Sequence, residues 1–142
     1  MIPELIRPAV LEGRDLHLGY GGADVVAGMD VTITTGSFTV IVGPNACGKS
    51  TLLRSLSKVL PPRAGHVLLD GKQIAMMRPK AFARQVGFLA QSSIAPEGIT
   101  VHELVSRGRY PYQSVLHQWS DEDDAQVSAA MARTHVDDLA RR

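Results

Sequence analysis

One cysteine, Cys47, is all the chain has among its 142 residues. A lone thiol closes no internal disulfide, so the fold has to rest on a packed core, and the usage fits a reducing compartment. An excess of either charge is missing as well: 15 basic and 14 acidic side chains leave a net charge of +1. With no basic run in the sequence, that balance argues against a nucleic-acid partner. No apolar run approaches the length of a membrane span, and Glu4 and Arg7 interrupt the N-terminus, against a signal peptide. His17, His66, His102, His117 and His135 show no metal-ligand spacing and read as surface or partly buried side chains. There is no internal repeat and no low-complexity tract. The hydrophobic share of 44% and charged share of 20% suit one globular domain with one core.

What the chain does carry is concentrated in nine residues, Gly43-Pro44-Asn45-Ala46-Cys47-Gly48-Lys49-Ser50-Thr51. They satisfy the phosphate-binding pattern G-x-x-x-x-G-K-[ST] in full. Residues 37–42 just before them predict a buried strand. Residues 49–57 just after predict a helix start, with Leu52, Leu53 and Leu56 spaced to share a face. A triphosphate presents several negative charges on closely spaced oxygens. A loop whose backbone N–H groups point inward makes a concave anion site, and the following helix adds its positive end. Gly43 and Gly48 let the chain turn tightly and come close to the phosphates. Lys49 can reach the β and γ phosphates, the Ser50 hydroxyl is placed to ligate Mg²⁺, and Thr51 can bond a phosphate oxygen. Ala46 stands where many such loops carry glycine, and its Cβ stiffens the loop. Cys47 reads as a loop filler, since no general base is identifiable beside it.

Three strands are expected ahead of the loop, at residues 10–18, 25–33 and 37–42, with turn-forming pieces at residues 19–22 and at Thr35-Gly36. The loop thus follows a small antiparallel sheet, which argues against a small P-loop kinase. Pro61-Pro62 stops the helix. Residues 65–69 predict a strand that turns through Asp70-Gly71, a hairpin dipeptide, into residues 72–74. Residues 79–85 predict a short helix opened by proline, and residues 86–89 a further strand. From Thr100 onward the pattern is helical. Thr100 and Glu103 make a capping box. Ser120 followed by Asp121, Glu122, Asp123 and Asp124 starts a second helix, where acids favour the positive end, with Val127, Ala130 and Met131 as its apolar face. Residues 136–140 predict another short turn.

At this point the residues resemble the ATP-binding subunit of ABC transporters. The resemblance rests on Gly19-Tyr20-Gly21-Gly22, the phosphate loop, Gly65-His66-Val67-Leu68-Leu69-Asp70-Gly71 and Val86-Gly87-Phe88-Leu89-Ala90-Gln91. It implies that Tyr20 stacks on adenine, an aromatic face suiting a base between glycines that let it lie flat. The plainer alternative is an ordinary turn tyrosine. It implies that Gln91 ends the Q-loop strand and adds an amide oxygen to the Mg²⁺ shell, against a solvated strand-end glutamine. Ala90 stands where many relatives have proline. A finer match, Ala95-Pro96-Glu97-Gly98-Ile99-Thr100-Val101-His102-Glu103-Leu104-Val105 and Gly108-Arg109-Tyr110-Pro111, is similar to importers of ferric siderophores, with haem and vitamin B12 importers as relatives. The cargo rests on resemblance alone. Arg107, Arg109, Tyr110 and Tyr112 would then join a docking surface for a membrane subunit, or form a mixed solvated face.

The expected fold is therefore α/β: a P-loop NTPase core with an N-terminal antiparallel β subdomain and the start of a helical subdomain. Residues 1–142 form the N-terminal part of one ABC ATP-binding domain, with residues 9–91 as β subdomain and P-loop core and residues 92–142 as Q-loop and partial helical subdomain. The resemblance implies ATP and Mg²⁺ as cofactors, transmembrane permease subunits and a second ATP-binding subunit as partners, and a peripheral place on the cytoplasmic face of the membrane. The family's signature sequence, Walker B aspartate, catalytic glutamate and switch histidine are not in these residues. No catalytic residue is identifiable, and the chain is expected to bind ATP without hydrolysing it alone. Two alternatives stay open: a short non-hydrolytic nucleotide-binding protein, and the ATPase of a haem or vitamin B12 importer.

Overall fold

A computed structural model describes residues 10–92, 96–114 and 119–142. The N-terminal residues, Ala95 and His117 lie outside the described residues. The chain divides into two compact units, Met1–Met77 and Arg78–Arg142.

In the first unit, β1 (Val10–Leu18), β2 (Val26–Thr34), β3 (Ala64–Leu69) and β4 (Lys72–Gln73) form one antiparallel sheet in the order β2-β1-β3-β4. Helix α1 (Lys49–Leu56) lies against β1. The core gathers Leu16, Leu18, Val26, Leu52, Leu56, Val67, Leu68, Leu69 and Ile74. Leu52 and Leu56 point into it as their spacing predicts, whereas Leu53 stays 45% exposed. Asp70 and Gly71 take φ of 52° and 76°, so both central positions of the hairpin turn are left-handed, as an Asp-Gly turn prefers. Ile74, expected to end the strand, opens a 3-10 turn at Ile74–Met76 instead.

Pairing in β1 slips between Arg14 and His17, where Asp15 takes φ 48° and its N–H donates to Asp30 Oδ1 at 2.7 Å. This bulge brings β1 unusually close to the start of β3. Gly65, at φ 80°, sits where a Cβ would lie 2.1 Å from the Asp15 carbonyl oxygen.

Two strand expectations fail. Residues 37–42 and 86–89 carry no ladder pairing in the structure. Local composition favours a strand, but a strand exists only with a neighbour to exchange backbone bonds, and neither segment is in a described ladder. Most of their apolar side chains face water: Phe38 is 94% exposed and Leu89 92%, while Ile41 and Val86 are partly covered.

The second unit contains α2 (Pro79–Ala83), α3 (Val101–Ser106) and α4 (Asp121–Thr134), with 3-10 turns at Arg107–Tyr112 and Asp137–Leu139. Both expected capping boxes form: Thr100 with Glu103 on α3 and Ser120 with Asp123 on α4. Val127 and Met131 are buried, while Ala130 faces out. Asp123 does more than cap. Arg109 Nε donates to its Oδ1 at 2.6 Å, and that guanidinium holds the Asp123 carboxyl below the usual carboxylate range. Arg109 also stacks over Tyr112 at 4.1 Å. Of the residues expected to face a membrane subunit, Arg109 is thus turned inward, while Tyr110 is 63% exposed. Among the described residues no helix is long and apolar enough to cross a membrane.

Candidate functional site

The phosphate-loop residues descend onto the start of β2. Gly48 is the residue before α1, left-handed at φ 97°, and a Cβ there would stand 2.7 Å from Val26 Cγ2. Only glycine fits both the backbone angle and the close approach. Its carbonyl accepts the first helical bond, from the Leu52 N–H at 2.8 Å. The N–H groups of a helix's first turn lack intrahelical acceptors, an arrangement that suits an anion.

Lys49 is folded back across the loop. Its Nζ donates to the Gly43 carbonyl at 2.8 Å and to the Pro44 carbonyl at 2.6 Å. Cys47 Sγ lies 3.7 Å from the same ammonium. That sulfur also lies close to Gly43: a Cβ there would come within 2.8 Å of it, and the exposed Cys47 side chain would have to turn away. Asn45, Cys47 and Ser50 are exposed, whereas Thr51 is buried at 7%. The Ser50 hydroxyl, a hard oxygen donor in the first turn, fits a Mg²⁺ ligand.

Ala46 sits at φ 64°, the left-handed conformation that a Cβ disfavours by about 1–2 kcal/mol. Ala46→Gly relieves this at a smaller entropic cost, about 0.5–1 kcal/mol. A thermal melt is expected to shift upward by a few degrees, roughly 2–5 °C. A lower melting temperature would show that the alanine is not strained.

Tyr20 lies in the loop joining β1 to β2, half exposed, and Arg54 Nη1 of α1 donates to its hydroxyl at 3.0 Å. The helix that follows the phosphate loop therefore also holds the edge of the ring. The loop closes through a bond from the Val25 N–H to the Leu18 carbonyl at 2.7 Å. Val25 and Val26 are the residues on which Gly48 rests, so β2 positions both Tyr20 and the phosphate loop. The helix–ring bond and this shared seat join residues far apart in sequence, and no local pattern announces them. Gln91 is exposed and belongs to the second unit, past the irregular residues 86–90.

Residues 26–142 match the family model described as ABC transporter. The chain is 50% identical over 134 residues to the "Probable siderophore transport system ATP-binding protein YusV" of Bacillus subtilis, covering 94% of this chain and 49% of the relative. It is 49% identical over 132 residues to the ferric enterobactin transport ATP-binding protein FepC of Escherichia coli, covering 93% of this chain and 49% of the relative. It thus spans about half the length of the curated relatives it matches. A bacterial Atm1-family ABC exporter solved with ATP bound superposes with a TM-score of 0.75 at 25% identity, over 97% of this chain and 24% of that one.

Proposed function

This chain belongs to the ABC transporter family, and on that footing we propose that residues 1–142 form the nucleotide-holding part of an ATPase subunit that powers import of an iron–siderophore complex. The observation that carries the nucleotide site is the Lys49 ammonium lying across a loop whose turns are left-handed at Ala46 and Gly48, at the head of α1. The cargo is supported by relatives named for siderophore and ferric enterobactin transport.

In this assignment the loop N–H groups and the first turn of α1 hold the phosphate oxygens. Lys49 exchanges two neutral carbonyls for the β and γ phosphates, a stronger charge-assisted contact. Tyr20 offers its open face to adenine. Mg²⁺, when bound, offsets part of the phosphate charge, and Ser50 supplies one of its oxygens. Residues 1–142 contain no carboxylate that a motif places beside an attacking water, so they bind and orient the nucleotide without hydrolysing it. Hydrolysis belongs to the assembled transporter, in which two ATP-binding subunits close on two nucleotides against permease subunits at the cytoplasmic face of the membrane.

Cys47 makes the site directly testable, because it is the chain's single cysteine and its sulfur lies inside the loop. With Mg-ATP at a hundredfold excess over the dissociation constant, about 1% of sites stay open, so maleimide labelling is expected to slow at least ~10-fold. An unchanged labelling rate at saturating nucleotide would remove the loop as the binding site.

A further inference from the structure

The loop that carries Tyr20 has little to hold it. Gly21 and Gly22 have no side chains, and positions beyond their Cα atoms are open space. Glycines lose more conformational freedom on ordering than any other residue. A base-stacking ring on such a loop would be poorly fixed unless the backbone itself were gripped.

It is gripped from 42 positions away. Arg63, just ahead of β3, donates through Nη1 to the Gly22 carbonyl at 2.8 Å and to Asp24 Oδ1 at 3.0 Å, and through Nη2 to the Gly21 carbonyl. Its own N–H donates to the His17 carbonyl at 2.8 Å, which fixes the stem of the fork to β1. His17 Nδ1 lies 3.0 Å from Asp24 Oδ2 and closes the ring of contacts. The His17 and Arg63 contacts, opposed by partial desolvation, hold the Asp24 carboxyl below its usual range. The guanidinium is rigid and planar, with donors spaced to reach adjacent acceptors at once, which a lysine ammonium on its flexible stem does not reproduce. Gly19 is part of the same fit, since a Cβ there would stand 2.5 Å from the Ala23 carbonyl and 3.3 Å from Arg63 Cζ.

From this geometry we infer that Arg63 is a positioning residue for the nucleotide base: it clamps the Gly21 and Gly22 carbonyls so that Tyr20 is held ready for stacking. Arg54 fixes the hydroxyl end of the ring and Arg63 the backbone that follows it. Arg63 touches no phosphate-loop residue among its described contacts, so its effect runs through the base and not through the phosphates. The inference rests on the assignment of Tyr20 above, and the test separates the two.

The experiment compares two probes on the full 142-residue chain by isothermal titration calorimetry with Mg²⁺ present: ATP, which has a base, and inorganic tripolyphosphate, which has none. Base–aromatic stacking is worth about 1–3 kcal/mol, so Tyr20→Ala and Arg63→Ala are each expected to weaken ATP roughly tenfold relative to tripolyphosphate. Tripolyphosphate binding, changed less than ~2-fold, reports that the phosphate loop and the fold persist. The double variant is expected to lose no more than either single one, because Arg63 acts through Tyr20. Equal losses for both ligands in Arg63→Ala would make Arg63 a fold residue and overturn the inference. So would no loss, or a double variant whose losses multiply. If Tyr20→Ala leaves the ATP-to-tripolyphosphate ratio unchanged, the stacking assignment itself fails and the positioning role falls with it.

Discussion

Lys49→Ala is expected to weaken binding of a fluorescent ATP analogue by roughly 10- to 150-fold in the presence of Mg²⁺. A hydrogen bond to a charged group contributes about 1.5–3 kcal/mol, which sets that range. The loss should be confined to binding. Among the described residues Lys49 Nζ bonds the Gly43 and Pro44 carbonyls and approaches Cys47 Sγ, and those carbonyls at the exposed loop can turn to water. Far-UV circular dichroism of the variant should match the parent. Equal binding by the two proteins would sink the assignment of Lys49 and, with it, the phosphate site.

Gly65→Ala is expected to have the largest effect on stability. The left-handed backbone at φ 80° disfavours any Cβ, at about 1–2 kcal/mol. The added methyl also meets the Asp15 and Arg14 carbonyl oxygens, at 2.1 and 2.4 Å. Both are backbone atoms that cannot swing aside, and forced overpacking costs a further ~1–3 kcal/mol. Together these reach roughly 2–5 kcal/mol, a large share of the ~5–15 kcal/mol that holds a domain folded. Urea unfolding followed by circular dichroism should show the midpoint falling well below that of the parent at similar slope. A midpoint unchanged by the substitution would mean that β1 and β3 can move apart at the Asp15 bulge at little cost.

The features that the sequence reveals are those that neighbouring residues can enforce among themselves. The phosphate loop, the start of α1 and both capping boxes depend on contacts within a few positions, and the structure holds them where the spacing puts them. The Asp-Gly turn is legible for the same reason. Residues 37–42 and 86–89 show the opposite case. Their composition is that of strands, but pairing is a property of two segments, and the described strands pair only with one another. Leu53 fails more quietly: its spacing fits an apolar face, yet the sheet covers only the side of α1 that bears Leu52 and Leu56. The grip of Arg63 on Gly21 and Gly22, the bond from Arg54 to Tyr20 and the pairing of Arg109 with Asp123 are contacts between distant positions. No periodicity announces them, and Arg109 in particular carries the composition of a solvated face while being only 16% exposed in its side chain. The family matched by residues 26–142 agrees with the resemblance that the local motifs carry, because those motifs are where the chemistry is concentrated.

The unpaired residues 37–42 bear on how the molecule behaves among its own copies. Six consecutive residues there carry no charge, no proline and no glycine, and they mix aromatic and β-branched side chains. With Phe38 94% and Val42 83% exposed, the stretch offers a neighbouring chain both an apolar face and a backbone outside any described ladder. That combination is the starting point for edge-to-edge recruitment and for dry stacking of like segments. Gly36 and Gly43 bound the stretch, and Pro44 just beyond has no N–H to extend a ladder, so recruitment would be confined to a single short segment. In residues 1–142 the lead-in to the proposed nucleotide loop thus combines exposure with strand-like composition, and concentrated solutions of these residues are expected to self-associate through it.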